Sequence, residues 1–184
     1  PSVIIEEDAH LDLPRREADA LVTALPGVVC GALSADCAPV LMVDPEARVA
    51  AAVHAGWKGA LDGVTDFALI AMQDEGADLS RVRAVVGPCI GPASYEVGLE
   101  FLERFTADDP GHAAFFAPGE SSEKRQFDLP GFVLSRLRAA GVTQCEWIGR
   151  DTCAEPDLFF SNRRAFKAGE PDYGRLLSAI MLEV

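Results

Sequence analysis

Two short apolar runs on either side of a polar turn constrain the fold of this chain more than any other feature. Residues 40–43 (VLMV) and 49–54 (VAAAVH) have the length and the β-branched content of strands. The four residues between them, DPEA at 44–47, are typical of a turn. The segment is therefore predicted to form a β-hairpin.

Strand and helix signals alternate along the rest of the chain without a strict βαβ repeat. Over 60–74 the apolar residues Leu61, Val64 and Ala68 recur at helical spacing, and Gly76 is a suitable C-terminal cap. Other strand signals lie at 3–5, 19–23, 28–34, 82–86 and 142–148, a last apolar segment at 176–182, and other helix signals around 97–105 and 129–140.

A length of 184 residues suits one domain with a buried core. Together with the mixed signals, it predicts a single domain over residues 1–184. The expected fold class is α/β (α+β), with a mixed β-sheet core flanked by helices.

The charge balance argues against several classes of partner. The chain has 16 Lys and Arg residues against 29 Asp and Glu, a net charge of −13. Nucleic-acid binding is not expected, because neutralising phosphates requires clustered cations. No apolar run reaches the roughly 18 residues that a membrane-spanning helix needs, so no membrane partner is expected either.

The cysteines favour a reducing, cytoplasmic location. Their number is odd and no C-x-x-C pair occurs, which argues against a disulfide framework and against a cysteine-rich zinc module. The first ten residues include Glu6, Glu7 and Asp8 rather than the basic and apolar regions of a signal peptide. The cysteines are Cys30, Cys37, Cys89, Cys145 and Cys153.

Cys37 and His54 are the candidate catalytic and metal-binding residues. If 44–47 is the hairpin loop, cross-strand partners have numbers that sum to 91, and Cys37 and His54 do so. Their Cβ atoms would then lie about 4.5–5.5 Å apart on one face. That separation suits two ligands of zinc or copper, with a third ligand still required, and it equally suits a Cys–His nucleophile pair. The alternative is an inert buried cysteine and a structural histidine.

Five ordered motifs identify a family. They are DCAPVL at 36–41, HAGWKG at 54–59, GPCIGP at 87–92, YEVG at 95–98 and FFSNRR at 159–164. Together they resemble the YfiH-like family, also called the laccase-domain or polyphenol oxidoreductase family, from about residue 17 to the C-terminus. The resemblance implies a YfiH-like fold and a zinc-dependent purine nucleoside enzyme.

The family's metal site uses one cysteine and two histidines, of which Cys37 and His54 match two. The other histidine belongs to a Gln-x-His motif in the first strand. We expect that motif just upstream of Pro1, so that this chain lacks the native N-terminal strand. His10 and His112 do not match the motif. The resemblance implies zinc, and copper is disfavoured because three histidines are too few for a multicopper centre.

Two arginines are candidate substrate-binding residues. Arg163 and Arg164, with Lys167 and Arg175 nearby, form a basic cluster in an acidic chain. Guanidinium groups bind phosphate in a bidentate manner, and the preceding FFS at 159–161 is expected to anchor the segment against the core. A solvated surface run is the alternative.

Three residues beside the Cys–His pair complete the candidate site. Trp57 could stack on a purine or belong to the core, and Lys58 follows it in the same motif as a candidate substrate-binding residue. Asp36 is predicted to be catalytic, as a carboxylate that orients His54 or a bound water. Its alternative is a turn residue at the end of a strand.

The resemblance therefore implies an enzyme, a metal-dependent purine nucleoside phosphorylase with adenosine deaminase activity. Its substrates would be a small purine nucleoside and phosphate. A second hypothesis uses Cys37 as the nucleophile of a Cys–His hydrolase or deamidase. A third is a quality-control factor in peptidoglycan-precursor synthesis, a role also attached to some family members.

Overall fold

A mixed six-stranded sheet forms the centre of the molecule. The structure is a computed structural model that describes residues 3–6 and 17–184. Its strands are β1 (Val3–Glu6), β2 (Ala20–Thr23), β4 (Ala38–Asp44), β5 (Val49–Ala55), β6 (Arg83–Val86) and β10 (Gln144–Trp147). Their order in the sheet is β1-β2-β5-β4-β6-β10, with β1–β2 and β6–β10 parallel and the other pairs antiparallel.

Side-chain alternation buries both faces of this sheet. Val22, Val40 and Val53 face the main core with two helices, α2 (Val64–Asp74) and α4 (Leu129–Ala139). On the other face, Ala52 packs with an antiparallel ribbon that has its own small core. The ribbon consists of β3 (Val29–Ser34) and β11 (Leu176–Met181). The predicted α+β class, a mixed sheet flanked by helices, is confirmed.

The predicted hairpin exists, but its predicted register is wrong. Asp44 pairs with Val49, and Pro39 pairs with His54, so that partner numbers sum to 93. The loop is therefore 45–48, because Asp44 stays in the strand and its carboxylate accepts the N–H groups of Glu46 and Ala47. A shift of two residues preserves the faces, since side chains alternate with a period of two.

The first predicted helix is interrupted. It comprises α1 (Trp57–Leu61) and α2, separated at Gly63, which has φ +83°. A left-handed residue ends the helical hydrogen-bond pattern, and glycine adopts that conformation without steric cost. Gly76 follows the end of α2 with φ +96°, as expected of a residue after a helix C-terminus.

A smaller unit lies beside the main sheet. Its three strands are β7 (Glu96–Gly98), β8 (Phe116–Pro118) and β9 (Lys124–Phe127), in the order β7-β9-β8. The helix predicted near 97–105 is α3 (Leu99–Asp108), which follows β7 and packs with this sheet around an aromatic cluster that includes Phe105 and Phe127.

A short helix, α5 (Asn162–Ala168), was not predicted.

Among the residues that the structure describes, no helix is long and apolar enough to cross a membrane.

Candidate functional site

Cys37 lies at the turn that leads from β3 into β4. The residue before it, Asp36, has φ +82°, a left-handed conformation that Asp tolerates better than most residues. This turn places Cys37 just before β4, beside the end of β5, where His54 is the last residue but one.

Cys37 and His54 converge on Gly56. In the observed register Cys37 is a diagonal rather than a direct neighbour of His54, on the same face of the hairpin. A Cβ atom placed on Gly56 would lie 3.0 Å from the Cys37 Sγ and 3.9 Å from the His54 Cε1. The space beside Gly56 is therefore shared by the two side chains, and a side chain there would intrude on it.

A cavity of about 380 Å³ opens over this pair. It is lined by Cys37, His54 and Asp19, among others, and the Asp19 Oδ1 lies 3.9 Å from the His54 Nδ1. Asp19 was not predicted. The pairing of β2 with β5 would have indicated it. Ala20 lies opposite Val53 in this antiparallel pair, so Asp19, the residue before Ala20, lies beside His54. Trp57, Lys58 and Asp62 also line this cavity.

The surroundings of Cys37 favour the thiol over the thiolate. Burial, and then the charge of Asp36, raise the pKa of Cys37 to about 11. Nucleophilic cysteines have the opposite property, a lowered pKa that arises from nearby cations or a helix N-terminus. A bound metal cation would favour the thiolate instead, since metal ligation displaces the thiol proton.

The pair fits a soft divalent metal as two of its ligands. Thiolate and imidazole are the donors that zinc and copper prefer, and the two side chains share the space beside Gly56. Within residues 3–6 and 17–184, no group of three or more His, Cys, Asp or Glu side chains is arranged to hold a metal. Further ligands would come from water, substrate or a residue outside those ranges.

A second cavity of about 310 Å³ adjoins the first, because Cys37 and Trp57 line both. Asp36, Tyr95, Asn162 and Arg163 are among its other lining residues. The guanidinium of Arg163 lies 5.1 Å above the Tyr95 ring and donates to the Glu96 carbonyl oxygen at 2.6 Å. Tyr95 and Asn162 were not singled out, although both lie in motifs that the sequence analysis quoted.

Asp36 makes contacts other than the predicted ones. Its carboxylate accepts hydrogen bonds from the Thr152 hydroxyl at 2.7 Å, the Ser161 hydroxyl at 3.0 Å and the Arg163 backbone N–H at 2.6 Å. Within the described residues no hydrogen bond joins this carboxylate to His54. The left-handed turn directs its side chain to the start of α5 instead, and a catalytic role for Asp36 stays a prediction.

Arg163 and Arg164 differ although they are adjacent. The Arg164 guanidinium donates to the carbonyl oxygens of Thr152, Cys153 and Phe159, so it binds backbone rather than lining either cavity. Substrate binding by Arg164 stays a prediction that these contacts do not support. The side chains of neighbouring helical residues diverge by about 100°, which separates the two.

The rest of the basic segment does not join the site. Arg175 pairs with Asp172 at 3.5 Å, and Lys167 is exposed. The predicted anchor at 159–161 is only partly buried, since Ser161 is 3% exposed but Phe160 is 52% exposed. Buried hydrogen bonds rather than apolar packing hold this part of the chain.

The other predicted residues fall in different surroundings. Trp57 is half-buried, with its ring 4.7 Å from that of Phe101 and the Arg104 guanidinium 5.2 Å away, so the aromatic cluster supports it at the boundary of the two cavities. Lys58 is exposed at the rim of the first cavity. His112 packs against Phe132 in the aromatic cluster. His10 lies outside the described residues.

Comparisons with known proteins agree on one family. The family described as multi-copper polyphenol oxidoreductase laccase matches residues 2–183. A purine nucleoside phosphorylase of Rickettsia conorii is 34% identical over 167 residues, covering 91% of this chain and 69% of that protein. The purine nucleoside phosphorylase YfiH of Shigella flexneri is 36% identical over 167 residues, covering 91% of this chain and 65% of that protein.

Solved structures show the same likeness. A Neisseria meningitidis protein of the DUF152 family has a TM-score of 0.81 and 33% identity, covering 91% of this chain and 66% of that one. A Bacillus licheniformis YfiH protein has a TM-score of 0.79 and 29% identity, covering 90% of this chain and 61% of that one. The chain thus spans between 61% and 69% of the lengths of these four relatives.

The family match extends over nearly the whole chain, and the relatives share both its sequence and its fold. The chain therefore belongs to the multi-copper polyphenol oxidoreductase laccase family of YfiH-like proteins.

Proposed function

We propose that the full-length protein is a zinc-dependent purine nucleoside phosphorylase that also deaminates adenosine. The observation that carries the proposal is the adjacency of two cavities, one beside the Cys37–His54 pair and one beside Arg163. The names of the relatives, purine nucleoside phosphorylase in Rickettsia conorii and in Shigella flexneri, support the same activity.

Phosphorolysis needs two substrates side by side. Inorganic phosphate attacks C1′ of the ribose, the glycosidic C–N bond breaks, and the products are ribose 1-phosphate and the free purine. The guanidinium of Arg163 supplies a cation for the phosphate in the second cavity. Trp57, at the boundary of the two cavities, offers a ring edge or face to the nucleoside.

Cys37 and His54 would hold the metal. Zinc, when bound, supplies Lewis-acid polarisation and activates water, the chemistry by which the C6 amino group of adenosine is replaced and ammonia is released. The Asp19 carboxylate lies beside this pair, with its Oδ1 3.9 Å from the His54 Nδ1. Zinc is proposed rather than copper because His54 and His112 are the only histidines in the described residues, and His112 lies in the aromatic cluster.

The thiol-nucleophile hypothesis has less support. Its cysteine should lie among cations, yet the charged residue next to Cys37 is Asp36 and its surroundings favour the neutral thiol. The quality-control hypothesis has no specific observation in its favour.

The test is a chromatographic assay of full-length zinc-loaded protein with adenosine or inosine, with and without phosphate. We expect phosphate-dependent release of hypoxanthine from inosine. The Cys37→Ala variant should lose bound zinc and reduce turnover at least about a hundredfold, since even residues that only support metal ligands contribute ten- to a hundredfold.

Cys145→Ala is the matched control. Cys145 is a half-buried thiol on β10, away from both cavities, so its removal should leave zinc content and turnover unchanged. Wild-type protein that binds stoichiometric zinc but converts no purine nucleoside would contradict the proposal. Full zinc content in Cys37→Ala would contradict the assignment of that ligand.

A further inference from the structure

Asp36 joins three segments that are distant in sequence. Its backbone carbonyl accepts the N–H of Ile90 at 2.9 Å, in the loop after β6. Its carboxylate accepts the hydroxyls of Thr152 and Ser161, and the backbone N–H of Arg163. Asp36 is 8% exposed, and these three groups that donate to its carboxylate are neutral. A buried carboxylate with three good donors is held in one orientation, because each lost bond leaves buried polar groups unpaired.

These contacts set where α5 begins. Ser161 donates its hydroxyl proton to Asp36 and accepts the N–H of Arg164 at 3.1 Å, so that it caps α5. The next residue but one, Arg163, gives its backbone N–H to the same carboxylate. The first turn of α5 is therefore held at the residue that precedes Cys37 in the chain.

Arg163 then extends from this fixed point into the second cavity. Its guanidinium uses one N–H on the Glu96 carbonyl oxygen and lies over Tyr95. A guanidinium has five N–H donors, so others remain for an anion. The side chain is held at both ends, by Asp36 at its backbone and by Glu96 at its tip.

The backbone of Asp36 supports the same conclusion. A non-glycine residue with φ +82° is uncommon, and such conformations persist where surrounding contacts over-determine them, often at functional sites. Here the left-handed conformation lets one residue face α5 while the next, Cys37, lines both cavities.

We propose that Asp36 is a positioning residue whose carboxylate holds the start of α5 so that Arg163 is presented to inorganic phosphate. The inference rests on the proposed function, since it concerns the phosphate of that reaction. It predicts that hydrogen bonding, rather than the negative charge, is the property of Asp36 that matters for phosphate.

Two variants separate these properties. Asp36→Gly removes the carboxylate but adopts a positive φ freely, so backbone strain is not introduced. Asp36→Asn removes the charge and can keep all three bonds. Its amide oxygen can accept from Ser161 and Arg163, and its amide group can donate to the Thr152 hydroxyl, which accepts as well as donates.

The measurements are the KM values for phosphate and for inosine, and the Kd for inorganic phosphate by calorimetry, on the full-length zinc-loaded protein. Asp36→Gly should raise the KM and the Kd for phosphate at least about tenfold, the usual effect of losing bonds to a charged group. The KM for inosine should change less than about twofold. Asp36→Asn should raise the phosphate constants no more than about threefold.

A double-mutant cycle shows whether the effect passes through Arg163. In an Arg163→Gln background, Asp36→Gly should change the Kd for phosphate less than about twofold, because the group it positions is already absent. Thr152→Val removes one donor at similar volume and serves if Asp36→Gly does not fold. It should raise the phosphate constants by a smaller factor, about threefold.

The outcomes separate this inference from the proposed function. Three results would each overturn the positioning role, whether or not the enzyme turns over. The first is that Asp36→Gly and Asp36→Asn change the phosphate constants equally, and the second is that the effects of Asp36→Gly and Arg163→Gln on the Kd for phosphate are additive. The third is a folded Asp36→Gly protein with unchanged phosphate constants. Wild-type protein that binds no phosphate would overturn it as well. If phosphate binds and the variants follow the expected order without any turnover, the positioning role stands and the proposed function fails.

Discussion

A buried aspartate lies near each end of strand β4, and the two have different hydrogen-bond partners. Asp44 is the last residue of the strand, and Asp36 lies two residues before its first. At one end Asp44 is fully buried and accepts the backbone N–H groups of Glu46, Ala47 and Asp78. It also pairs with the Arg81 guanidinium at 2.9 Å. At the other end, beside Cys37 and the two cavities, the donors to the Asp36 carboxylate among the described residues are neutral.

The difference in partners suggests that Asp44 stabilises the fold, whereas Asp36 belongs to the candidate site. Burial opposes ionisation of Asp44, but Arg81 and the backbone N–H groups outweigh it and hold the pKa of this carboxyl well below its usual range. Asp44 therefore fixes the hairpin loop, which includes Arg48 at φ +55°. Asp36 instead joins segments that carry candidate ligand-binding groups. Of the residues that donate to Asp36, Arg163 and Ile90 line the second cavity.

The largest expected effect is on stability at the Asp44 end. Asp44→Asn removes the charge of a fully buried carboxylate whose partner Arg81 is partly exposed, and it should lower the free energy of unfolding by about 2 kcal/mol, measured by urea denaturation. The matched variant Asp36→Asn, with no cation partner among its hydrogen bonds, should cost about 1 kcal/mol or less. Equal losses in the two variants would remove the contrast between the ends.

The lowered pKa of Asp44 predicts that the free energy of unfolding depends on pH. Because the folded-state pKa of Asp44 is lowered, its contribution to stability is fully present above the unfolded-state pKa of about 3.9 and is lost as the pH falls below it. Unfolding free energies measured between pH 7 and pH 3 should therefore fall less steeply in Asp44→Asn than in the wild type. Parallel pH profiles would contradict this account.

The next effects should differ between the two arginines at the Asp36 end, with Arg163 affecting phosphate binding and Arg164 affecting stability. Arg163→Gln should raise the KM for phosphate about tenfold, because it removes the cation from the second cavity. Arg164→Gln should lower the free energy of unfolding by about 1–2 kcal/mol, because three backbone carbonyls lose the guanidinium that donates to them, and should change the phosphate KM less than about threefold. Steady-state kinetics and thermal melting of both variants test the division, and a reversed pattern would refute it.

The smallest effect concerns the space beside Cys37. Gly56 has φ −69° and ψ 165°, which alanine adopts freely, so Gly56→Ala acts through its added methyl, 3.0 Å from the Cys37 Sγ. We expect zinc affinity, measured by competition with a chelator, to fall about three- to tenfold. Gly59→Ala is the control, since its methyl would meet Val64 at an ordinary 3.6 Å. Equal zinc affinities in the two variants would argue against metal beside Gly56.

Local patterns predicted much of the fold and the proximity of Cys37 and His54. The apolar runs at 40–43 and 49–54 belong to adjacent strands, and Cys37 and His54 line the same cavity. The register was wrong because Asp44 resembled a turn residue. Its place in the strand depends on contacts with Asp78 and Arg81, more than 30 residues away. No local pattern contains that information.

The sequence by itself determined the strand alternation, the hairpin and, through five ordered motifs, the family. Strand periodicity and turn chemistry act between near neighbours, and a motif preserves residue identities wherever they fold. Only the tertiary structure decided that Asp36 binds the start of α5, more than 100 residues away, and that Arg163 rather than Arg164 lines a cavity. Those outcomes depend on how segments pack and on helix direction, since adjacent helical side chains diverge by about 100°.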